Sequence, residues 1–255
     1  MGVLDLFRLD GKTALVTGAA KGLGRSLALA LAEAGADVVG LDKLPCDETA
    51  RLVEKTGRQF MEIRCDLRYV AGADYNPVIE QVVAAWGKLD ILVNNAGVTF
   101  PNAVFDIREQ DYDEENLVNQ KALFFLSQAA GRRMAETGGG KIINIASLNA
   151  FVGGLRAASY TATKGAVASI TRAMASEWAE LGINVNCIAP GWILTDNTRN
   201  IWEDKELYAQ TCANIPAGRW GRTEDFMGTV VFLASRASDY LHGSIIIVDG
   251  GLFLR

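Results

Sequence analysis

The chain has 255 residues, 49% of them hydrophobic and 22% charged, enough apolar side chain for a large buried core at the upper length of one domain. Its 25 Lys and Arg stand against 30 Asp and Glu, and the net charge of −5 offers phosphate backbones and anionic lipids no general attraction, so no nucleic-acid or membrane partner is expected. No apolar run approaches the roughly 20 residues of a membrane span, and Asp5, Arg8 and Asp10 interrupt any signal-peptide core, which points to a cytoplasmic protein.

Cys46, Cys65, Cys187 and Cys212 lie far apart without a Cys-x-x-Cys pair, so they read as small buried hydrophobes, with neither a disulfide framework nor a metal site. The single histidine, His242, precedes Gly243 in a loop and reads as a packing or solvated residue.

Short β-branched apolar runs alternate with longer segments of helical period, the pattern of βαβ units around a parallel sheet. Strands are expected at residues 12–17, 37–41, 59–64, 91–93, 140–145, 184–188 and 245–248. Several are almost purely apolar, as strands covered on both faces must be. The expectation is one domain over residues 1–255, a Rossmann-like, doubly wound, seven-stranded parallel α/β sheet with helices on both faces.

The first strand runs into Gly18-Ala19-Ala20-Lys21-Gly22-Leu23-Gly24 and then an apolar-periodic helix. Glycines there let the backbone bend tightly and approach a pyrophosphate, whose charge then sits at the positive end of the helix. Asp42 closes the second strand, where a carboxylate accepts from the adenosine ribose hydroxyls and repels a 2′-phosphate. NAD is therefore expected, with NADP as the alternative through Lys21 or Lys43, the latter also readable as a solvated loop charge. Asp66, followed by Leu67 after the third strand, reads as an acceptor for the adenine amino group or as a loop cap, and Asn95-Ala96-Gly97 after the fourth as a turn open to close cofactor approach.

Beyond the fifth strand, Ser147 precedes Tyr160-Thr161-Ala162-Thr163-Lys164 by thirteen residues. Four residues along a helix place Tyr160 and Lys164 on one face. A phenol near pKa ~10 is a poor base, and an adjacent ammonium together with a cationic nicotinamide would stabilise the phenolate. Residues 194–217 carry charge, Trp202 and Tyr208 without a strand, and read as a helical flap over the site.

The glycine turn, Asn94-Asn95-Ala96-Gly97, the Ser147 spacing and Tyr-x-x-x-Lys together resemble the short-chain dehydrogenase/reductase family over essentially the whole chain. Pro190-Gly191 with Thr195 is similar to the stretch that holds the nicotinamide carboxamide, and Asp249-Gly250-Gly251 to the family's C-terminal ending. The resemblance implies that Ser147 bonds the reacting oxygen, Tyr160 exchanges its proton, and Lys164 tunes the tyrosine and holds the nicotinamide ribose. Asn119, with Asn116 as its rival, matches the anchor of a water-linked proton relay.

Within the family the likeness is strongest to sugar-acid dehydrogenases with substrates of the 2-dehydro-3-deoxy-D-gluconate or 2-deoxy-D-gluconate type, on segments such as Gly153-Gly154-Leu155-Arg156 and Ile215-Pro216-Ala217-Gly218-Arg219-Trp220-Gly221. A carboxylate substrate calls for a cationic clamp, for which Arg156 stands ahead of Arg199 and Arg219, with Asn149 as a hydroxyl-binding partner. An NADPH-dependent 3-oxoacyl-thioester reductase and a nucleotide-sensing binding protein are the competing readings. Surplus apolar residues on the helices at 111–133 and 157–180, and the resemblance itself, imply a homotetramer.

Overall fold

The apolar runs form seven strands in a computed structural model, whose described residues are 2–70 and 73–254. They are β1 (Thr13–Thr17), β2 (Asp37–Asp42), β3 (Phe60–Arg64), β4 (Ile91–Asn94), β5 (Gly140–Ile145), β6 (Ile183–Pro190) and β7 (Ile245–Val248). All pair in parallel, in the order β3-β2-β1-β4-β5-β6-β7. The chain winds outward from β1 and returns to begin again at β4, so a crevice opens beyond the carboxyl ends of these two neighbours.

Side-chain alternation divides each central strand between two cores. Ala14, Val16, Ile91, Val93, Ile143 and Ile145 pack on the face covered by α1 (Gly22–Glu33) and by Val230 and Leu233. Leu15, Leu92, Ile142 and Val185 pack on the opposite face with Ile79, Val82, Leu126, Ala130 and Met174. Both faces are dry, which is why these strands read as unbroken apolar runs.

The remaining helices are α2 (Asp47–Glu54), α3 (Asn76–Trp86), α4 (Glu109–Asn116), α5 (Leu123–Glu136), α6 (Ala158–Trp178), α7 (Arg199–Trp202), α8 (Lys205–Ala213) and α9 (Met227–Ala234). The helix expected at 111–133 is not one regular α-helix: a π-helical turn, Leu117–Ala122, joins α4 to α5. Such wide turns occur often at functional sites, and nothing in apolar spacing announces one. Strand β6 also runs beyond 184–188 at both ends, because β5 pairs with Ile183 and β7 with Pro190.

A buried polar chain crosses the sheet centre. Asn94 donates to Ser127 Oγ and Asn144 Oδ1, both at 2.8 Å, and Asn144 donates to Thr171 Oγ1 at 2.9 Å. This ties β4 and β5 to the two helices above them, α5 and α6, with each buried amide partnered. His242 lies just before β7, at the opposite sheet edge from the crevice, with Nε2 3.1 Å from Asn184 Nδ2. All four cysteines are free thiols, and no helix among the described residues is long and apolar enough to cross a membrane.

Candidate active site

The glycine turn after β1 is shaped by missing side chains. A Cβ on Gly24 would stand 2.0 Å from Gly18 O, and one on Gly18 would stand 2.8 Å from Asn95 Nδ2. Gly18 and Gly22 have φ of +67° and +56°, in the left-handed region that glycine enters without cost. Asn95 locks the turn by donating to Thr17 O at 3.0 Å and Gly18 O at 3.2 Å, while Thr17 Oγ1 accepts from the backbone N–H groups of Asn95 and Ala96. Lys21 provides no side-chain cap to α1, so the first amides of the helix, on Gly22, Leu23 and Gly24, have no side-chain acceptor at the cap. Such a bare helix start suits the pyrophosphate of a dinucleotide.

Around that turn, several candidate residues are engaged within the protein. Asp42 Oδ2 accepts from Ala20 N at 3.0 Å and Oδ1 from Leu44 N at 2.9 Å, so the carboxylate is fixed at the tip of β2. Lys21 pairs with Asp196 at 3.1 Å, and Lys43 is exposed. Asp66 is gripped through both oxygens by Arg68, which holds its carboxyl below the usual range, and Arg68 also reaches Glu114 at 3.1 Å. Leu67 is buried beside it.

The other side of the crevice is a seam between the π-helical turn, the loop after β4 and α6. Asn119 is buried in the wide turn, where it accepts from Val98 N at 2.8 Å and donates to Val98 O at 2.9 Å and Thr163 Oγ1 at 3.2 Å. Thr163 in turn donates to Tyr160 O at 2.8 Å. Gly97 closes over the pair, since a Cβ there would lie 3.3 Å from Asn119 Oδ1 and 3.7 Å from Lys164 Nζ. Asn116 instead turns back to Tyr112 O, and so the structure brings Asn119, not Asn116, into the seam.

Tyr160 and Lys164 share one face of α6, with Lys164 Nζ 5.6 Å from the tyrosine ring centroid and donating to Ile145 O at 2.7 Å. Ser147 stands beside the phenol, and its Oγ accepts from Asn149 N at 3.2 Å. The expected lowering of the phenol by Lys164 does not arise from the protein's own groups. Burial pushes the Tyr160 phenol up to about 12, the hydrogen bond with Ser147 works downward, and Glu115 adds to the rise. Burial also pulls Lys164 down to about 8, against an upward effect of Cys187. The physical reason is that burial strips water from both groups and so disfavours the charged form of each.

Segment 194–217 holds a 3₁₀ turn, Asp196–Thr198, followed by α7 and α8. Its two ends are pinned: Leu194 N donates to Gly221 O, and Ala217 N to Gly250 O, each at 3.0 Å. Trp192 stacks on Trp220 at 4.9 Å, and Tyr208 leans on the same indole at 5.6 Å. Thr195 O accepts from Trp202 Nε1 at 2.9 Å, and Thr195 faces Gly22 across the crevice, 3.8 Å from where a Cβ would be. Gly191 packs on Asp249, which a Cβ would approach to 2.7 Å, so Pro190-Gly191 is held by the C-terminal turn.

Of the three arginine candidates, two are committed elsewhere. Arg219 forms a bidentate pair with Asp225 and bonds Trp220 O, and Arg199 is paired with Asp196. Arg156 is exposed on the loop between Ser147 and Tyr160, with φ of +57° and no side-chain hydrogen bond or ion pair among the described residues. Asn149 lies against Gly154, where a Cβ would stand 2.5 Å from its Nδ2.

A family profile described as Enoyl-(Acyl carrier protein) reductase matches residues 18–253. A relative from Escherichia coli K12 is 47% identical over 99% of this chain and 100% of its own length, and one from Bacillus subtilis is 46% identical over 100% of both. Both are named 2-dehydro-3-deoxy-D-gluconate 5-dehydrogenase. The chain belongs to the short-chain dehydrogenase/reductase family. As a member it is an NAD(P)-dependent oxidoreductase of CH–OH groups. A gluconate 5-dehydrogenase of the same fold from Burkholderia cenocepacia, solved in complex with NADP and tartrate, matches with a TM-score of 0.93 at 38% identity over 100% of both chains.

Within this short-chain dehydrogenase, sequence reading alone did not find Thr17, Thr163 or Glu115. Thr163 lies inside the Tyr-x-x-x-Lys motif and Thr17 ends an apolar strand, two places where a hydroxyl could have signalled a tie. Glu115 gave no signal, since it stands among four other acidic residues in Glu109–Asn116.

Proposed function

We propose that the protein is a sugar-acid dehydrogenase that prefers NAD and oxidises, or in reverse forms, a secondary alcohol on a substrate of the 2-dehydro-3-deoxy-D-gluconate or 2-deoxy-D-gluconate type. What carries this reading is Arg156: a guanidinium without a protein partner, on the loop between the candidate oxygen-binding Ser147 and the candidate base Tyr160, is suited to a substrate carboxylate. The names of the full-length relatives and the tartrate held by the Burkholderia enzyme support the same substrate class.

Bound at the bare start of α1, the dinucleotide would supply the hydride acceptor or donor. The phosphates would lie on the Gly22, Leu23 and Gly24 amides, the adenosine near Asp42, Asp66 and Leu67, and the nicotinamide between Asn95-Ala96-Gly97 and Pro190-Gly191 with Thr195. Ser147 then holds the reacting oxygen while Tyr160 takes its proton. Lys164 and Asn119 keep the phenol and ribose side ordered, Asn149 meets a substrate hydroxyl, and the segment with α7 and α8 excludes water.

The preference for NAD rests on the Asp42 carboxylate, held at the tip of β2, where it would accept from the ribose hydroxyls and repel a 2′-phosphate, and on Lys21 being drawn to Asp196. Rates of reduction of NAD and of NADP, measured with D-gluconate, 2-deoxy-D-gluconate, neutral sugars and simple secondary alcohols, test both parts. Faster turnover with NADP overturns the cofactor preference, and equal turnover of acids and neutral sugars overturns the carboxylate clamp.

A homotetramer through α5 and α6 belongs to the same proposal. Phe124, Ile170 and Trp178 border a trough on these helices together with Gln128, Arg132 and Glu177, and a monomeric mass by light scattering would refute the assembly.

A further inference from the structure

Glu115 has no place in the mechanism above, yet it is completely buried in α4. Its Oε1 accepts from Phe100 N at 2.7 Å, while its Oε2 is buried and meets no hydrogen-bonding partner among the described residues. No basic side chain among them pairs with it. Asp111, the other buried acid of this helix, is closed off by both arms of Arg108. A carboxyl group is expensive to bury in this condition, so a glutamate that merely filled space would be a poor choice.

Its position gives it a use. Glu115 lies one turn before Asn119, and the two hold alternate residues of the loop after β4: Asn119 takes both backbone groups of Val98, and Glu115 takes Phe100 N. Two residues on, Asn102 N donates to Arg156 O at 3.1 Å, at the residue with left-handed backbone geometry. A line of backbone ties thus runs from α4 through residues 98–102 to the loop that carries Arg156. We propose that Glu115 is a positioning residue of this active site, which sets the loop after β4 and, through it, Arg156 against Tyr160, and which puts a buried carboxyl group on α4, a helix packed against the Tyr160 helix α6.

Around Tyr160, Lys164 comes from the same helix, Ser147 from the loop after β5, and Glu115 from α4, while Cys187 of β6 lies against Lys164. Glu115 is the acid of this set, and it acts in the direction that keeps the phenol protonated. The inference rests on the reading of Tyr160 as the acid/base.

The test uses the full chain with Tyr160→Phe, Glu115→Gln and Glu115→Met, following oxidation of 2-deoxy-D-gluconate across pH 5.5 to 10.5. Glutamine keeps an acceptor for Phe100 N but no charge. Its acid limb in kcat is expected to move to lower pH by on the order of one unit, with KM within about twofold. Methionine removes the tie as well, and a rise in sugar-acid KM of about tenfold is expected, with the dinucleotide KM unmoved. An acid limb of Glu115→Gln that coincides with that of the unaltered protein overturns the proposal, as does an unchanged KM in a folded Glu115→Met. Should the methionine variant not fold, the glutamine profile decides. Near-normal turnover by Tyr160→Phe would fail the underlying reading, whereas an inactive Tyr160→Phe beside an unmoved Glu115→Gln profile fails this inference alone.

Discussion

The two walls of the crevice are made of different materials. On the β1 side, the glycine turn presents backbone: amides at the start of α1, carbonyls gripped by Asn95, and positions where a single Cβ would collide with main chain. On the β4 to α6 side, the wall presents buried side chains, Glu115, Asn119, Thr163 and Lys164, each bonded to backbone. A backbone wall can hold a ligand with little chemistry of its own, and it fails when volume is added. A side-chain wall carries the proton chemistry, and it fails when a functional group is removed.

The sharpest break in that comparison is Tyr160→Phe, which deletes one oxygen from the side-chain wall. Turnover is expected to fall by about 10²- to 10⁴-fold while dinucleotide affinity, read by fluorescence titration, stays within about threefold. In the unaltered protein the phenol is pushed up to about 12 and is therefore protonated at neutral pH. Carbonyl reduction should accordingly be level through neutrality and decline toward alkaline pH, and alcohol oxidation should rise with pH. An oxidation rate that peaked below neutrality would contradict the assignment.

Gly24→Ala tests the backbone wall. Its Cβ would meet Gly18 O at 2.0 Å, and overpacking of this kind costs about 1–3 kcal/mol. A lower melting temperature and weakened dinucleotide binding should appear together, with no change in pH profile. Arg156→Met comes next, with an expected rise in sugar-acid KM of about 10- to 100-fold and no effect on a neutral substrate. The smallest change is expected from Lys21→Ala, because the Lys21–Asp196 pair has side chains about half exposed, at 50% and 44%. An effect on dinucleotide KM above about threefold, persisting at high salt, would show that this contact does more than a surface ion pair.

Much of the fold could be read from the chain, for reasons visible in particular segments. The apolar runs at residues 140–145 and 245–248 predict strands, and they are β5 and β7 without a shift. The two-sided burial of Leu15 against Val16, or Ile142 against Ile143, is what apolar runs without alternation imply. The placement of Tyr160 and Lys164 on one helix face followed from local spacing alone. The π-helical turn did not, since its extra width changes no apolar position. Nor did the capture of Lys21 by Asp196, because that ion pair joins segments far apart in the chain.

The sequence by itself determined the strand and helix periods, the glycine turn and the i, i+4 chemistry of Tyr160 with Lys164, all of which depend on neighbours a few residues apart. Only the tertiary structure decided which asparagine enters the seam, which of the three candidate arginines stays unpaired, and that Glu115 lies buried against the loop after β4. Those outcomes depend on desolvation and on partners distant in the chain: burial, not spacing, pushes the phenol of Tyr160 up and the ammonium of Lys164 down.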